Sequence, residues 1–365
     1  MNEYIKLIKP FITFDDIADD LNEIFNSGQF TKGRHVDKFV DNLKGYTAAK
    51  HAFLTTSATT ALSIALKALN VKQGDKVAVS DFSWPATCNV VEDLGATPIF
   101  IDVDKHTYNM CPIDLAKKLN SDFAGVIFVD ALGNPSGINQ IKEISRSHKV
   151  PLIQDSACAI GSSVDGKKVG NIADLTCFSF HPRKLITTGE GGAILTNNHE
   201  YAEWLSIKLA AGASGIKGAG LDFVDYGYNY RLSEIQALMG WKQLHMLDDI
   251  IQKRKVIANE YAKELEPIGF IQQKIDTNVT YNFQSLAFTV PERLDRNNLI
   301  KYLATQNIES TLGTYCLSAT TYFKKKYNSV QSNALFLESN TITLPCFLGV
   351  NVKLVTKSIK EYCTQ

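Results

Sequence analysis

Lys184 sits in the stretch 177–192, CFSFHPRKLITTGEGG, where an apolar and aromatic run breaks at His181-Pro182. Pro182 and the glycines around Glu190 forbid a continuing helix or strand, so Lys184 is expected on a fixed, tightly turned loop. A lysine held this way, its amine shielded from water, can lose its proton and attack a carbonyl. Taken alone, an Arg-Lys pair is more often a solvated basic loop. Pieces elsewhere in the chain reverse that judgement.

Three other stretches could complete such chemistry. Thr55-Thr56-Ser57-Ala58-Thr59-Thr60 joins a strand to a helix, where unpaired N–H groups and hydroxyls could take a phosphate. Simple capping by Ser57 explains the same residues. Asp81-Phe82-Ser83-Trp84-Pro85 offers an indole that could stack on a flat heterocycle, or equally fill a core. Leu152-Ile153-Gln154-Asp155 places a carboxylate at the exit of a buried strand, where it could keep a ring nitrogen protonated or cap the next segment. The turn at Leu132-Gly133-Asn134-Pro135 carries little functional weight. Each piece is ambiguous singly, but the set is less so. Phosphate donors, a stacking ring, a carboxylate and a loop lysine form the inventory that pyridoxal phosphate requires.

Those four pieces need a scaffold that delivers them to one place. From Ala52 to Ile153 the chain alternates short apolar runs with amphipathic ones, including 77–79, 98–101, 126–129 and 152–153 as strands and 138–147 as a helix. Such alternation argues for an α/β fold with a mostly parallel sheet, which carries its ligands at the carboxyl ends of the strands. A short strand is expected at 193–196, and a glycine- and alanine-rich loop at 211–220. Ser233 is expected to cap one long helix over about 232–265. That helix marks the domain boundary: 1–245, with an N-terminal arm at 1–30, forms the large domain, and 246–365 a smaller α+β domain. A chain of 365 residues suits two domains.

Acidic and basic residues balance at 38 each, so no net field draws the chain to nucleic acid or an anionic membrane. Seven scattered cysteines show no zinc-ligand spacing and favour reduced thiols in the cytoplasm. No run reaches the length of a membrane span.

In TTSATTAL, DFSWPATCNVVEDLGATPIFIDVD, IQDSACAIGS, FSFHPRKLITTGEGGAILTN and YGYNYRLSEIQALMG, the sequence resembles the sugar-aminotransferase (DegT/StrS-type) family of fold-type I pyridoxal-phosphate enzymes. The match runs from about residue 10 to the C-terminus. The resemblance implies that Lys184 is the lysine bonded to the cofactor aldehyde and Asp155 the partner of its ring nitrogen. It likewise implies Trp84 as the stacked aromatic, and Ala58, Thr59 and Ser179 as phosphate-binding positions. Asn229 matches an asparagine that reaches the phosphate from the neighbouring subunit, which implies a homodimer with shared sites. Two positions depart from the family: Ala58 stands for the glycine of its SGT motif, and Cys158 for a glutamine or histidine at the ring hydroxyl. The implied reaction passes an amino group from glutamate to a keto sugar nucleotide for deoxyamino-sugar biosynthesis. Ile160, where C-3 aminotransferases often carry histidine, points to C-4 of a 4-keto-6-deoxy sugar. Amination at C-3 or of a cyclitol-like ketone stays open. Lys184 itself argues against a sugar dehydratase, which carries histidine there, and the intact set argues against a non-catalytic regulator.

Overall fold

Seven strands between residues 51 and 196 pair into one sheet, in a computed structural model that describes residues 4–364. In chain order they are β1 (His51–Thr55), β2 (Lys76–Ser80), β3 (Thr97–Ile101), β4 (Phe123–Val129), β5 (Leu152–Asp155), β6 (Leu175–Ser179) and β7 (Gly192–Thr196). Their spatial order is β1-β7-β6-β5-β4-β2-β3. Strands β2 to β6 pair in parallel, and β7 runs antiparallel to both neighbours. Every residue of β5, β6 and β7 is buried, as expected of strands covered on both faces of the sheet.

Adjacent residues on a strand point to opposite faces, and each face carries its own core. Phe128, Phe178 and Ala193 pack on one side with Phe39, Ile141 and Leu247. Ile127, Cys177 and Ile194 pack on the other with Leu62, Val79 and Leu205. A third core gathers Tyr261, Phe288, Leu299, Ile342 and Ile359. It lies around a four-stranded antiparallel sheet ordered Ile271–Gln272, Leu286–Thr289, Thr341–Leu344, Thr311–Leu312. Of the expected arm and C-terminal segment, residues 1–3 and 365 lie outside the described residues.

Two sequence expectations change. The single helix over about 232–265 is two helices, Glu234–Leu244 and Leu247–Leu265. Ser233 does cap the first, accepting from the Gln236 N–H. At the break the Met246 N–H donates to the Gln243 carbonyl three residues back, tightening the turn and interrupting the helical ladder. The expected loop at 211–220 opens a hairpin, Ala213–Lys217 with Gly220–Phe223. Its glycines serve geometry: Gly218 adopts φ 64° at the tip, which a residue with a Cβ rarely reaches. Ile216, Leu221 and Phe223 stand exposed on this hairpin.

Candidate active site

Pairing register brings the four chemistry-bearing stretches to one edge of the sheet. Asp155 lies opposite Val129 and Cys177, while Ser179, Gly192 and Thr55 align across β6, β7 and β1. These are the carboxyl ends of the parallel strands and the amino end of the reversed one.

Lys184 sits on the connection from β6 to β7. The loop closes on itself where its N–H donates to the His181 carbonyl at 2.8 Å and the Thr188 N–H to the Phe180 carbonyl at 2.9 Å. Its Nζ donates to Cys158 Sγ at 3.0 Å. Two buried glutamines hold the loop from outside. The Gln284 amide accepts from the Leu185 N–H at 2.6 Å and donates to the Arg183 carbonyl at 2.7 Å. The Gln243 amide accepts from the Thr187 N–H at 3.2 Å and donates to its carbonyl at 2.6 Å.

Asp155 is buried at the tip of β5. Thr87 donates to its Oδ2 at 2.8 Å and the Ala157 N–H to its Oδ1 at 3.3 Å. Burial pushes the carboxyl up, against the pull of Thr87, Ala157 and the Lys184 cation. Beside it lies a second buried carboxylate, Asp130, which takes hydrogen bonds from Ser156 at 2.6 Å and from the Gln154 amide at 2.9 and 3.0 Å. Burial pushes Asp130 up to about 7, and the neighbouring Asp155 adds to the effect.

The helix Ala58–Ala68 begins at the same edge. Ser57 caps it by accepting from the Thr60 N–H, so the N–H groups of Ala58 and Thr59 are left for an anion. Gly192 lies against this start: a Cβ there would come within 2.5 Å of Ser57 C and 2.7 Å of Ala58 N. Ser179, buried in the sheet, pairs with Gly192. Trp84 is not core. It is 66% exposed, braced at its edge by Tyr315 with ring centroids 5.7 Å apart. Behind it the strand pair Phe82–Ser83 with Tyr315–Cys316, and Asp81 accepting from Ser318, tie this corner to the C-terminal part of the chain. Asn229 is exposed on the segment after the hairpin, and no hydrogen bond among the described residues joins it to Lys184, Asp155 or Ser179.

Thr87, Asp130, Gln243, Asn282 and Gln284 were not found by sequence reasoning. Thr87 follows Trp84 by three residues and lies within reach of that motif. The glutamines and Asn282 carry no local signal, because their partners lie tens of residues away.

The DegT/DnrJ/EryC1/StrS aminotransferase family matches this chain over residues 13–361. The chain belongs to that family. It is 29% identical over 364 residues to the GDP-perosamine synthase of Escherichia coli O157:H7, covering 99% of each. It is 37% identical over 251 residues to the UDP-4-amino-4,6-dideoxy-N-acetyl-beta-L-altrosamine transaminase of Campylobacter jejuni serotype O:23/36, covering 68% of this chain and 66% of that one. Among solved structures, Spr1654 of Streptococcus pneumoniae in its PLP form superposes with a TM-score of 0.91 at 26% identity, covering 99% of this chain and 98% of that one. The protein is thus a pyridoxal-phosphate-dependent sugar aminotransferase with the fold-type I architecture. Among the described residues no helix is long and apolar enough to cross a membrane.

Proposed function

We propose that Lys184, Asp155, Trp84, Ser179, Cys158 and the helix start at Ala58 and Thr59 hold pyridoxal phosphate. We further propose that the enzyme aminates a keto sugar nucleotide at C-4 of a 4-keto-6-deoxy sugar, with glutamate as donor. The observation that carries the reading is the hydrogen bond from Lys184 Nζ to Cys158 Sγ at 3.0 Å, which brings the loop lysine to the turn just beyond Asp155 at the exit of β5.

The residues suit the group they would hold. Gly192 packs directly on the backbone at Ser57 and Ala58, so no side chain crowds the helix start from that strand, and Trp84 keeps its ring exposed. Bound there, the cofactor supplies an electrophilic carbon and a ring that draws electrons from it. Asp155 keeps the ring nitrogen protonated, because an opposed carboxylate favours the cation. The Ala58 and Thr59 N–H groups and Ser179 hold the phosphate, and Trp84 packs on the ring face. Lys184 Nζ takes a proton from the α-carbon of the donor and returns one on the far side of the exchange, as base and then acid. Cys158 Sγ, 3.0 Å from Lys184 Nζ, would face the ring hydroxyl.

Support for C-4 comes from the Campylobacter relative, whose name specifies a 4-amino-4,6-dideoxy sugar, and from Ile160. The product would enter a surface polysaccharide or glycoconjugate. The same reading makes the enzyme a cytoplasmic homodimer, with Asn229 crossing to the partner's phosphate site and a domain boundary near residue 245. Exposed apolar side chains on the hairpin support a partner there, and seven free cysteines support a reducing compartment.

Glutamate added to the loaded enzyme should convert its absorbance to the pyridoxamine form, and a panel of keto-sugar nucleotides read by mass should give one amino product. Lys184→Ala should lower turnover by roughly a thousand-fold or more. Absence of conversion with any amino donor overturns the reading.

A further inference from the structure

The segment 281–285 crosses over the ends of the central strands and touches both sides of the Lys184–Cys158 contact. Gln284, 5% exposed, pairs with the peptide groups on either side of Lys184: the Arg183 carbonyl and the Leu185 N–H. Asn282, wholly buried, donates to the carbonyls of Cys158 and Ile160 at 2.8 and 2.9 Å. The Asn282 Oδ1 in turn accepts from the Gln284 N–H at 2.9 Å.

This segment is itself held in a demanding shape. Phe283 adopts φ 53°, a left-handed conformation that costs a bulky residue energy unless its surroundings impose it. Arg254, from the helix Leu247–Leu265, imposes it: Nε and one Nη of its buried guanidinium donate to the carbonyls of Phe283 and Gln284, each at 2.8 Å. Beside Asn282, Gly133 lies so close that a Cβ would come within 2.4 Å of Asn282 Oδ1 and 2.6 Å of the Cys158 carbonyl. Nothing in this contact requires a side chain at Lys184 to be packed, since both flanking peptides are fixed instead.

We propose that Gln284 is a positioning residue for Lys184, fixing the peptide on each side so that the amine points at Cys158 and the Asp155 edge. Arg254 acts one step further back by fixing Gln284. The inference rests on reading Lys184 as the cofactor-bonding lysine. A primary amide suits the task because it accepts and donates in one plane, pairing with the loop as a neighbouring strand would. Loss of either hydrogen bond leaves a buried peptide group unsatisfied and lets the loop rotate. The amine then samples directions other than the one from which it must react.

The test uses the full chain, freed of cofactor, as wild type, Gln284→Met and Gln284→Glu. Each is mixed with pyridoxal phosphate and quenched with borohydride at timed intervals, and peptide mapping reads the adduct on Lys184. Circular dichroism and thermal unfolding report folding. Failure of wild type to label at Lys184 overturns the reading beneath the inference and shows without any variant. Folded Gln284→Met should label Lys184 roughly ten-fold more slowly, because misaligned attack is slow even where the reactants are bound. Gln284→Glu keeps the acceptor for Leu185 and should fall between. A folded Gln284→Met that labels at the wild-type rate overturns the inference, however far its melting temperature has dropped. Should Gln284→Met fail to fold, Gln284→Glu decides: a wild-type rate overturns the inference and a slower one supports it.

Discussion

Thr87 donates to Asp155 Oδ2 at 2.8 Å while its own oxygen stands 2.8 Å from Ser83 Oγ, so a short hydroxyl chain ends on the buried carboxylate. The arrangement favours the charged form of Asp155 against burial. Thr87→Val keeps the shape and removes the donor, so the carboxyl should rise further and its hold on a protonated ring nitrogen should weaken. A hydrogen bond to a charged group contributes ~1.5–3 kcal/mol, so pyridoxal phosphate affinity should fall by roughly ten- to a hundred-fold. Equilibrium dialysis read by absorbance measures it; unchanged affinity would remove Thr87 from the site.

Asp130 gives the cofactor-free protein a pH signature. Its folded value, about 7, lies above that of the unfolded chain, so between the two the folded state binds more protons. Its contribution to stability is therefore full at acid pH and is lost as pH rises toward 7. Asp130→Asn should remove that slope, and its amide could meet the buried Gln154 Oε1, which has no hydrogen-bond partner among the described residues. Chemical denaturation near pH 5 and about pH 8 should show the variant gaining on wild type at the higher pH. A difference that does not change with pH would sink this account.

Cys158 is the half-buried thiol that contacts Lys184, and Cys111 and Cys363 are similarly placed thiols outside the cluster. Pyridoxal phosphate should slow alkylation of Cys158 and leave the other two unchanged. Peptide mass mapping after a timed iodoacetamide pulse decides it. Equal protection of all three would point to general tightening of the fold.

The proposed sharing of sites between subunits predicts complementation. Lys184→Ala and Asn229→Asp should each inactivate the protein on its own, whereas a mixed dimer would hold one site with both native residues. Mixing the inactive proteins after subunit exchange should recover about a quarter of wild-type activity, since half the dimers are mixed and each has one good site. No recovery despite proven exchange would place Asn229 in its own subunit's site.

What the chain reveals unaided follows the range of each interaction. The helix 138–147 appears at the bounds expected from pattern and the strand expected at 193–196 starts one residue earlier, because periodicity and turn residues are local. Asp155, Lys184 and the Ser57 cap were likewise legible, since strand exits and helix starts announce themselves within a few residues. Gln284 could not be read this way: its amide serves a loop a hundred positions earlier, and no glutamine is marked for that task by its neighbours. Trp84 was ambiguous for a different reason: whether its indole is covered is decided by packing with residues far along the chain, such as Tyr315, and not by its neighbours in sequence. The helix break at His245-Met246 was hidden because apolar spacing continues unchanged through it.

Strand β7 runs against its neighbours, so the chain leaves the sheet at Ser179 and re-enters it at Gly192 with no crossover helix between. The reactive loop is therefore a span with both abutments set in the same masonry. Because β7 is held in register by β1 as well as β6, adding or deleting one residue in 180–191 would be taken up within the loop, at the cost of the hydrogen bonds that fix Lys184. Length variation among relatives, or an inserted tag, belongs instead at open corners such as the exposed turn at 120–122, where no such alignment is at stake.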